Sequence, residues 1–481
     1  MSTVDTTAAA SPDVDRNAEL VEQKRVLEEE NAVLVEQVKR LTELVEELTR
    51  QLNKNSSNSH KPPSSDGVGR RKSTRKPKRR SGRKRGGQPG RKGSKREMLA
   101  TEFVDLVVDI FPDDCEICLR RLPESTSDSP YRHQVVDLLE KNGGRHITEY
   151  RCHAVACQCG QLAPAPVSLV PKYALGPRLS SVICLFSGAY QMSRRQVVVA
   201  LKELYGIRVS LGTVSNIEGR MSSALAKSSE EAMTHIENSS VKHVDETSFL
   251  RDSQRCSTWV FANAITSVYR IVDDGKRTSL RAQLRKTKGI LVSDRASVFL
   301  YWPMAQRQIC WSHLLRTFTD YSERDGPAGA IGDDLITYCE LVFHYWREHR
   351  AGELSDANYE QWISAIQEGM KPRLQRAVDA NIKYVSGSCK NLLEHWDAMW
   401  TFVENPTVDL TNNHAERELR RLVLWRKRSF GSQSERGDRF VERILTVTQT
   451  MRKNARDTLG FLQQSFIAHW AGAPAPALLA L

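Results

Sequence analysis

The chain has 481 residues, enough for more than one domain and at least one large core. Its net charge is +12, yet residues 70 to 96 hold 15 Lys and Arg and no acid; the remainder carries 55 basic against 58 acidic residues, a net of −3, so the positive charge is a local device of the kind that binds a polyanion. No apolar run approaches the roughly 18 residues of a membrane span, the first residues lack the apolar segment of a secretory signal, and ten cysteines without an export signal point to metal binding or burial, not a disulfide framework.

Residues 1–16 are small, polar and acidic and are expected to be disordered. From 17 to 53, Leu20, Leu27, Leu34, Leu41 and Leu48 recur every seven residues, with Lys24, Asn31, Val38, Val45 and Leu52 at the other seam position. Leu at one seam position with Val and a single Asn at the other predicts a parallel two-stranded coiled coil, hence a homodimer; a buried Asn costs stability but penalises other registers. Residues 54–98 form a linker, first polar (Asn55-Ser56-Ser57 to Lys61-Pro62-Pro63) and then basic, with Arg79, Arg80, Arg83, Lys84 and Arg85 placed for phosphate contact.

Residues 99–170 read as a small domain of short strands. Cys115 and Cys118, then Cys157 and Cys159, predict a four-thiolate Zn²⁺ site of structural type. The second pair has one residue between its cysteines where two are usual, and Cys152 and His153 stand nearby as substitutes.

Residues 171–235 read as helices. Ser193 caps Arg194 to Tyr205, with Val198, Leu201 and Leu204 as an apolar face; Gly206 ends that helix, and Ser210 caps the next, with Val214, Ile217 and Met221 inside. A capped helix, a short turn and a second capped helix suit a helix-turn-helix whose second helix offers Thr213, Ser215, Asn216 and Arg220 to DNA.

From residue 236 to 320 the pattern turns to strands: Val241 to Leu250, Ser257 to Asn263 and Val268 to Val272 as a meander, a polar helix over Lys276 to Lys286, a buried run ending at Asp294, and a short strand Gln308 to Cys310. Residues 321–408 read as a helical insertion with Trp346, Trp362, Trp396 and Trp400 in its core. Residues 409–450 return to the strand domain, and 451–481 are read as a tail. Strands mixed with helices give a multidomain α/β fold with a mixed sheet.

Three acids stand at element ends. Asp245 and Asp294 follow apolar strands, and Glu416 opens a helix that Asn412 or Asn413 would cap. Alternation along the strand sends Asp245 and Thr247 to one face and Glu246 to the other. Three carboxylates brought together make a site for a hard divalent cation, Mg²⁺ or Mn²⁺, and such ions cut and rejoin phosphodiesters. Arg417 and Arg420, within a turn of Glu416, either hold phosphates or form a solvated basic face; with Arg421 they belong to a Lys- and Arg-rich run around Trp425 that suits a DNA-facing helix. His313 and Arg316 are accessory candidates without a firm role.

In chain order, Asp245-Glu246-Thr247, Ser293-Asp294, Cys310-Trp311-Ser312-His313-Leu314-Leu315-Arg316 and Asn412-Asn413-His414-Ala415-Glu416-Arg417-Glu418-Leu419-Arg420 resemble the insertion-sequence 66 family of bacterial transposases. The resemblance runs over nearly the whole chain, zipper and basic block included. It implies a ribonuclease-H-like catalytic domain with an Asp245-Asp294-Glu416 triad, cleavage at element ends and strand transfer into target DNA. It also implies a cytoplasmic, nucleoid-associated protein that works with accessory proteins of the same element. Zipper, basic arm and helix-turn-helix alone would serve a non-catalytic DNA-binding regulator or an inactive domesticated transposase. A regulator has no need of three acids and a large domain after residue 236, and the intact acids disfavour an inactive transposase.

Overall fold

The computed structural model describes residues 12–52, 97–141, 143–286 and 288–479. The linker positions Arg79, Arg80, Arg83, Lys84 and Arg85 lie outside the described residues. The chain divides into two compact units between Lys78 and Arg79. In the first, α1 (Pro12–Leu52) is one helix of 41 residues, starting ahead of the expected residue 17. Leu27, Leu34, Val38, Leu41 and Val45 are each more than half exposed along it. Among the described residues of its unit, this apolar stripe has nothing to bury against.

The second unit opens with a three-stranded sheet, β1 (Leu106–Ile110), β2 (Tyr131–Leu138) and β3 (Arg145–Cys152), in the order β1-β3-β2. A hairpin of β4 (Ala154–Ala156) and β5 (Leu162–Pro164) follows. Next come α2 (Pro177–Cys184), continued by a π-turn over Leu185–Ala189, then α3 (Arg194–Tyr205), α4 (Leu211–Ala224) and α5 (Ala226–Asn238). The caps fall where the sequence puts them. Ser193 and Gln196 form a reciprocal capping box, Gly206 takes φ +65°, and the Thr213 N–H donates to Ser210 Oγ. The inner face of α3 is Val197 and Leu201; Val198 is only half-buried, and Leu204, in the last turn, is exposed.

The central sheet has five strands: β6 (Val241–Arg251), β7 (Gln254–Ala262) and β8 (Ser267–Val272) as an antiparallel meander, then β9 (Ile290–Ser293) and β10 (Arg307–Ile309). α6 (Arg277–Gln283) links β8 to β9. The order is β10-β9-β6-β7-β8, with β9 parallel to both β6 and β10. Residues after β10 form five helices, α7 (Trp311–Ser322), α8 (Pro327–Ala351), α9 (Asp356–Asp379), α10 (Ser386–Glu394) and α11 (Trp396–Glu404). Their core is continuous with Val292 of β9 and Ile309 of β10. Trp400 lies in it and Trp346 and Trp396 are half-buried against it, but Trp362 is exposed and stacks flat on Tyr345, ring centroids 4.7 Å apart. The fully buried indoles are Trp259, Trp302 and Trp311. Trp259 and Trp302 lie in the core shared by the sheet with α2 to α5, and Trp311 lies in the core of the helical insertion.

α12 (Asn413–Ser429), α13 (Glu435–Lys453) and α14 (Thr458–Ala471) complete the fold. The segment expected to be a tail is a capped helix: Asp457 accepts from the Gly460 N–H, and Phe461, Leu462 and Phe466 enter the core that also holds α2, α4 and the sheet. The helices α2 to α5 share that core with β6 to β8 and so pack as part of the sheet's own covering layer.

Both edges of the central sheet are closed by side chains. On β8, the N–H groups of Ser267, Tyr269 and Ile271 donate to Thr450, Thr446 and Glu442, one turn apart on α13, at 3.2, 3.1 and 2.5 Å. The period of two along a strand meets the period of about four along a helix, so every outward N–H finds an acceptor. On β10, the Gln308 side chain donates to Met399 O and accepts from the Phe402 N–H. Among the described residues no helix is long and apolar enough to cross a membrane.

Candidate active site

Asp245 lies within β6, and Asp294 directly follows β9. The parallel register pairs His243 with Val292, so Asp245 and Asp294, each two residues further on, stand level on neighbouring strands. Glu416 occupies the first turn of α12, which packs across β6 and β7. Burial pushes the Asp245 carboxyl up to about 7, its own turn hydrogen bond to the Glu246 N–H opposes this, and the carboxylates of Asp294, Glu416 and Glu246 raise it further. The three acids therefore feel one another, and the fold concentrates negative charge at one end of the sheet. Glu246 points to the exposed side, as strand alternation requires.

Asn412 stands at the N-cap of α12, but its side chain does not cap the helix. It is fully buried: Nδ2 donates to Val244 O at 2.8 Å, Oδ1 lies 3.3 Å from His243 Nδ1, and its N–H donates to Cys310 Sγ at 3.1 Å. One residue thus ties the start of the Glu416 helix to the strand of Asp245 and to the end of β10. Behind the same helix, Lys453 Nζ lies 2.8 Å from His414 Nε2 and 3.5 Å from Glu418, which accepts from the Tyr269 hydroxyl at 3.0 Å. Burial holds His243 and His414 down to about 4, so both are neutral near pH 7. Neither His243 nor Lys453 stands out in the sequence, because each owes its place to long-range packing.

Asp294 is held from below. Arg307 is fully buried and donates to Asp294 O at 3.2 Å. Burial lowers its guanidinium to about 10, with the Asp294 charge acting the other way. Arg295, next along, donates to the O and Oγ of Ser388 at 3.0 and 2.9 Å, fastening α10 of the helical insertion to the Asp294 loop. His313 and Arg316, in the first turns of α7, both reach Glu416 Oε1: His313 Nδ1 at 3.5 Å and Arg316 Nη2 at 3.3 Å.

The basic candidates separate into free and engaged groups. Arg417, Arg420 and Arg421 are exposed on α12. Arg417 and Arg420 line a pocket of about 390 Å³ with Glu416, Asn413 and Trp346. Trp425 is buried and Arg426 turns inward to Thr247 and Ser248, so fewer basic groups of this helix are free than the sequence suggests. On α4, Asn216 is exposed and Thr213 half-buried, while the Arg220 guanidinium stacks 4.0 Å from the Tyr173 ring centroid. This helix packs against α2, α3, α13 and α14, leaving only a strip of it open. A wider cleft of about 930 Å³ runs from the starts of α3 and α4 to the turn between α12 and α13, lined by Arg195, Arg428 and Arg436.

Far along the chain from the acids, four sulfurs converge. Cys115 Sγ lies 3.6 Å from Cys159 Sγ, and Cys118 Sγ 3.5 Å from Cys157 Sγ. Thiolates around a tetrahedral zinc ion with bonds of about 2.3 Å stand roughly 3.8 Å apart, so the donor set fits that ion. The single-residue gap works because Gly160, at φ +86°, turns the chain directly after Cys159. N–H groups of Cys118 and Ile117 bring the Cys115 thiol down to about 6, ready to ligate. The two substitutes are engaged elsewhere: His153 Nε2 pairs with Asp109 at 2.8 Å while its Nδ1 accepts from the Ser127 N–H, and Cys152 is buried in a small apolar cluster.

A family model described as Transposase IS66 family matches residues 176–439, and one described as a family of unknown function matches residues 11–97. The chain is similar to two proteins of Sinorhizobium fredii. It is 23% identical to uncharacterized protein y4hP over 73% of this chain and 69% of that one. It is 23% identical to uncharacterized protein y4qI over 60% of this chain and 58% of that one.

Proposed function

Because the chain belongs to the IS66 family of transposases, we propose that it is a metal-dependent DNA transposase whose Asp245, Asp294 and Glu416 are the catalytic acids. The observation that carries this reading is the parallel register that sets Asp245 level with Asp294 on neighbouring strands, with Glu416 on the first turn of the helix packed across β6. An all-oxygen donor set with concentrated negative charge suits Mg²⁺ or Mn²⁺. Bound there, such ions supply an activated water or 3′ hydroxyl and neutralise charge on the leaving oxygen. The protein's own part is positioning: Asn412 and Arg307 fix the acids, and Arg417 and Arg420 offer guanidinium groups to phosphates beside Glu416. The order β10-β9-β6-β7-β8, a three-strand meander followed by two parallel strands, supports a ribonuclease-H-like reading of the sheet. The four thiolates read as a structural zinc site. The apolar stripe of α1 reads as a dimer seam, which suits an enzyme that must hold two DNA ends.

The test is incubation of full-length protein with element-end DNA and Mg²⁺ or Mn²⁺, scored for nicking and joining on sequencing gels. Wild type is expected to act, alone or with accessory proteins of the element. Asp245→Asn and Glu416→Gln are expected to bind the same DNA and leave it intact. Nicking by either variant at the wild-type rate would remove these residues from the chemistry.

A further inference from the structure

Hard cations have no use for a thiol, yet a buried cysteine lies beside Glu416 at the candidate active site. Cys310 follows β10, where its N–H donates to Ser293 O at 2.9 Å, next to Asp294. The backbone turns at once, the His313 N–H donating to Cys310 O at 3.1 Å, which brings His313 back over the cysteine. Donor atoms of Cys310, His313 and Glu416 all lie within 4.8 Å of one another. His313 Nδ1 is sealed from solvent and has no hydrogen-bond partner among the described residues; it lies 3.5 Å from Glu416 Oε1.

We propose that Cys310, His313 and Glu416 form a binding site for a borderline-soft divalent ion, Zn²⁺ by preference, which shares Glu416 with the hard-metal carboxylates. Zinc bonds of about 2.3 Å to sulfur and about 2.0–2.2 Å to nitrogen and oxygen set neighbouring ligands roughly 3.3–3.7 Å apart. The nitrogen–oxygen pair already meets that spacing, and the sulfur needs less than a bond length of adjustment. The Asn412 N–H, donating to Cys310 Sγ at 3.1 Å, is the outer hydrogen bond that a ligating thiolate wants. Three protein ligands leave a fourth position open, as in exchangeable zinc sites. Arg316, half exposed, swings away from Glu416 to make room. An ion seated there draws Glu416 toward β10 and away from Asp245 and Asp294. Zinc and magnesium are then antagonists through one carboxylate. That antagonism rests on the reading of Glu416 as a magnesium ligand; the site itself does not.

The experiment is a Co²⁺ titration, without DNA, of full-length protein carrying a single equivalent of zinc at the four-cysteine site, read as near-ultraviolet thiolate-to-cobalt absorption. Wild type is expected to take up one further equivalent with the intensity of a single thiolate. Cys310→Ser, which keeps an acceptor for the Asn412 N–H, is expected to lose that band. His313→Asn is expected to weaken Co²⁺ binding about tenfold or more. Circular dichroism identical to wild type certifies each fold. Absence of the extra equivalent in wild type, or a band undiminished in both variants, overturns the proposal. The readout needs no catalysis, so failure of the transposase reading and failure of this site are seen separately.

Discussion

Asp245 takes up its charge near pH 7, and this makes its titration visible in the stability of the whole protein. Its carboxyl is raised from 3.8 to about 7 in the folded chain. Between those values the folded state keeps a proton that the unfolded state has released, so metal-free stability falls as pH rises from about 4 to 7. Mg²⁺ needs the charged form, so its stabilising effect should grow over the same window. Thermal unfolding at pH 5 and pH 7.5, with and without Mg²⁺, measures this; equal stabilisation at both would refute it. In Asp245→Asn both dependences should flatten, and the metal-free melting point at pH 7.5 should rise, each ~1 kcal/mol of relieved repulsion being worth about 2–4 °C. Asn412→Ala leaves Val244 O without its buried donor and should cost about 1–3 kcal/mol in denaturant unfolding. Asp294 and Glu416 were legible because each carries a local signal, a strand end and a helix start; Asp245, expected at a strand end, lies in the middle of β6, which runs on to Arg251 along its pairing with β7. Asn412 was legible only as a cap. Its actual work is to bridge three elements, and no local pattern encodes that.

Elements in this fold are held as much by polar side chains as by apolar faces. Thr446→Val keeps shape and volume but deprives the Tyr269 N–H of its acceptor. An unsatisfied buried donor costs about 1–3 kcal/mol, and amide exchange at Tyr269 should quicken accordingly; unchanged protection would argue against this hydrogen bond. In the cysteine domain, Cys118→Ser should lower bound zinc by one equivalent, measured by elemental analysis, and lower the unfolding temperature of that region, as should chelation of wild type. Strands and caps were readable because alternation, β-branched runs and Ser-x-x-Gln spacing act within a few residues. The C-terminal helix was missed for the opposite reason. Gly472 and the Ala- and Pro-rich end read as loose chain, while Phe461, Leu462 and Phe466 gain their meaning only from α2 and α4, hundreds of residues earlier. Trp362 shows the converse: an indole in a helical segment is not thereby a core residue.

At the scale of the whole molecule, the proposed function divides DNA handling between the basic block of residues 70–96 and the folded unit. Deletion of residues 70–96 should lower affinity for any duplex and flatten its salt dependence, by roughly 0.9 in log–log slope for each phosphate left unneutralised. A slope unchanged within error would show that the folded unit alone holds the phosphates. Asn31→Val should raise the stability of the α1 assembly while admitting other oligomers, scored by sedimentation equilibrium. The closed edges of the central sheet bear on assembly in a further way. With β8 buttoned to α13 and β10 to α11, no copy can extend another's sheet or lend it a strand. Edge-to-edge assembly through the central sheet is thereby blocked, and the layer that carries the candidate acids is spared the irreversible strand exchange that an open edge invites.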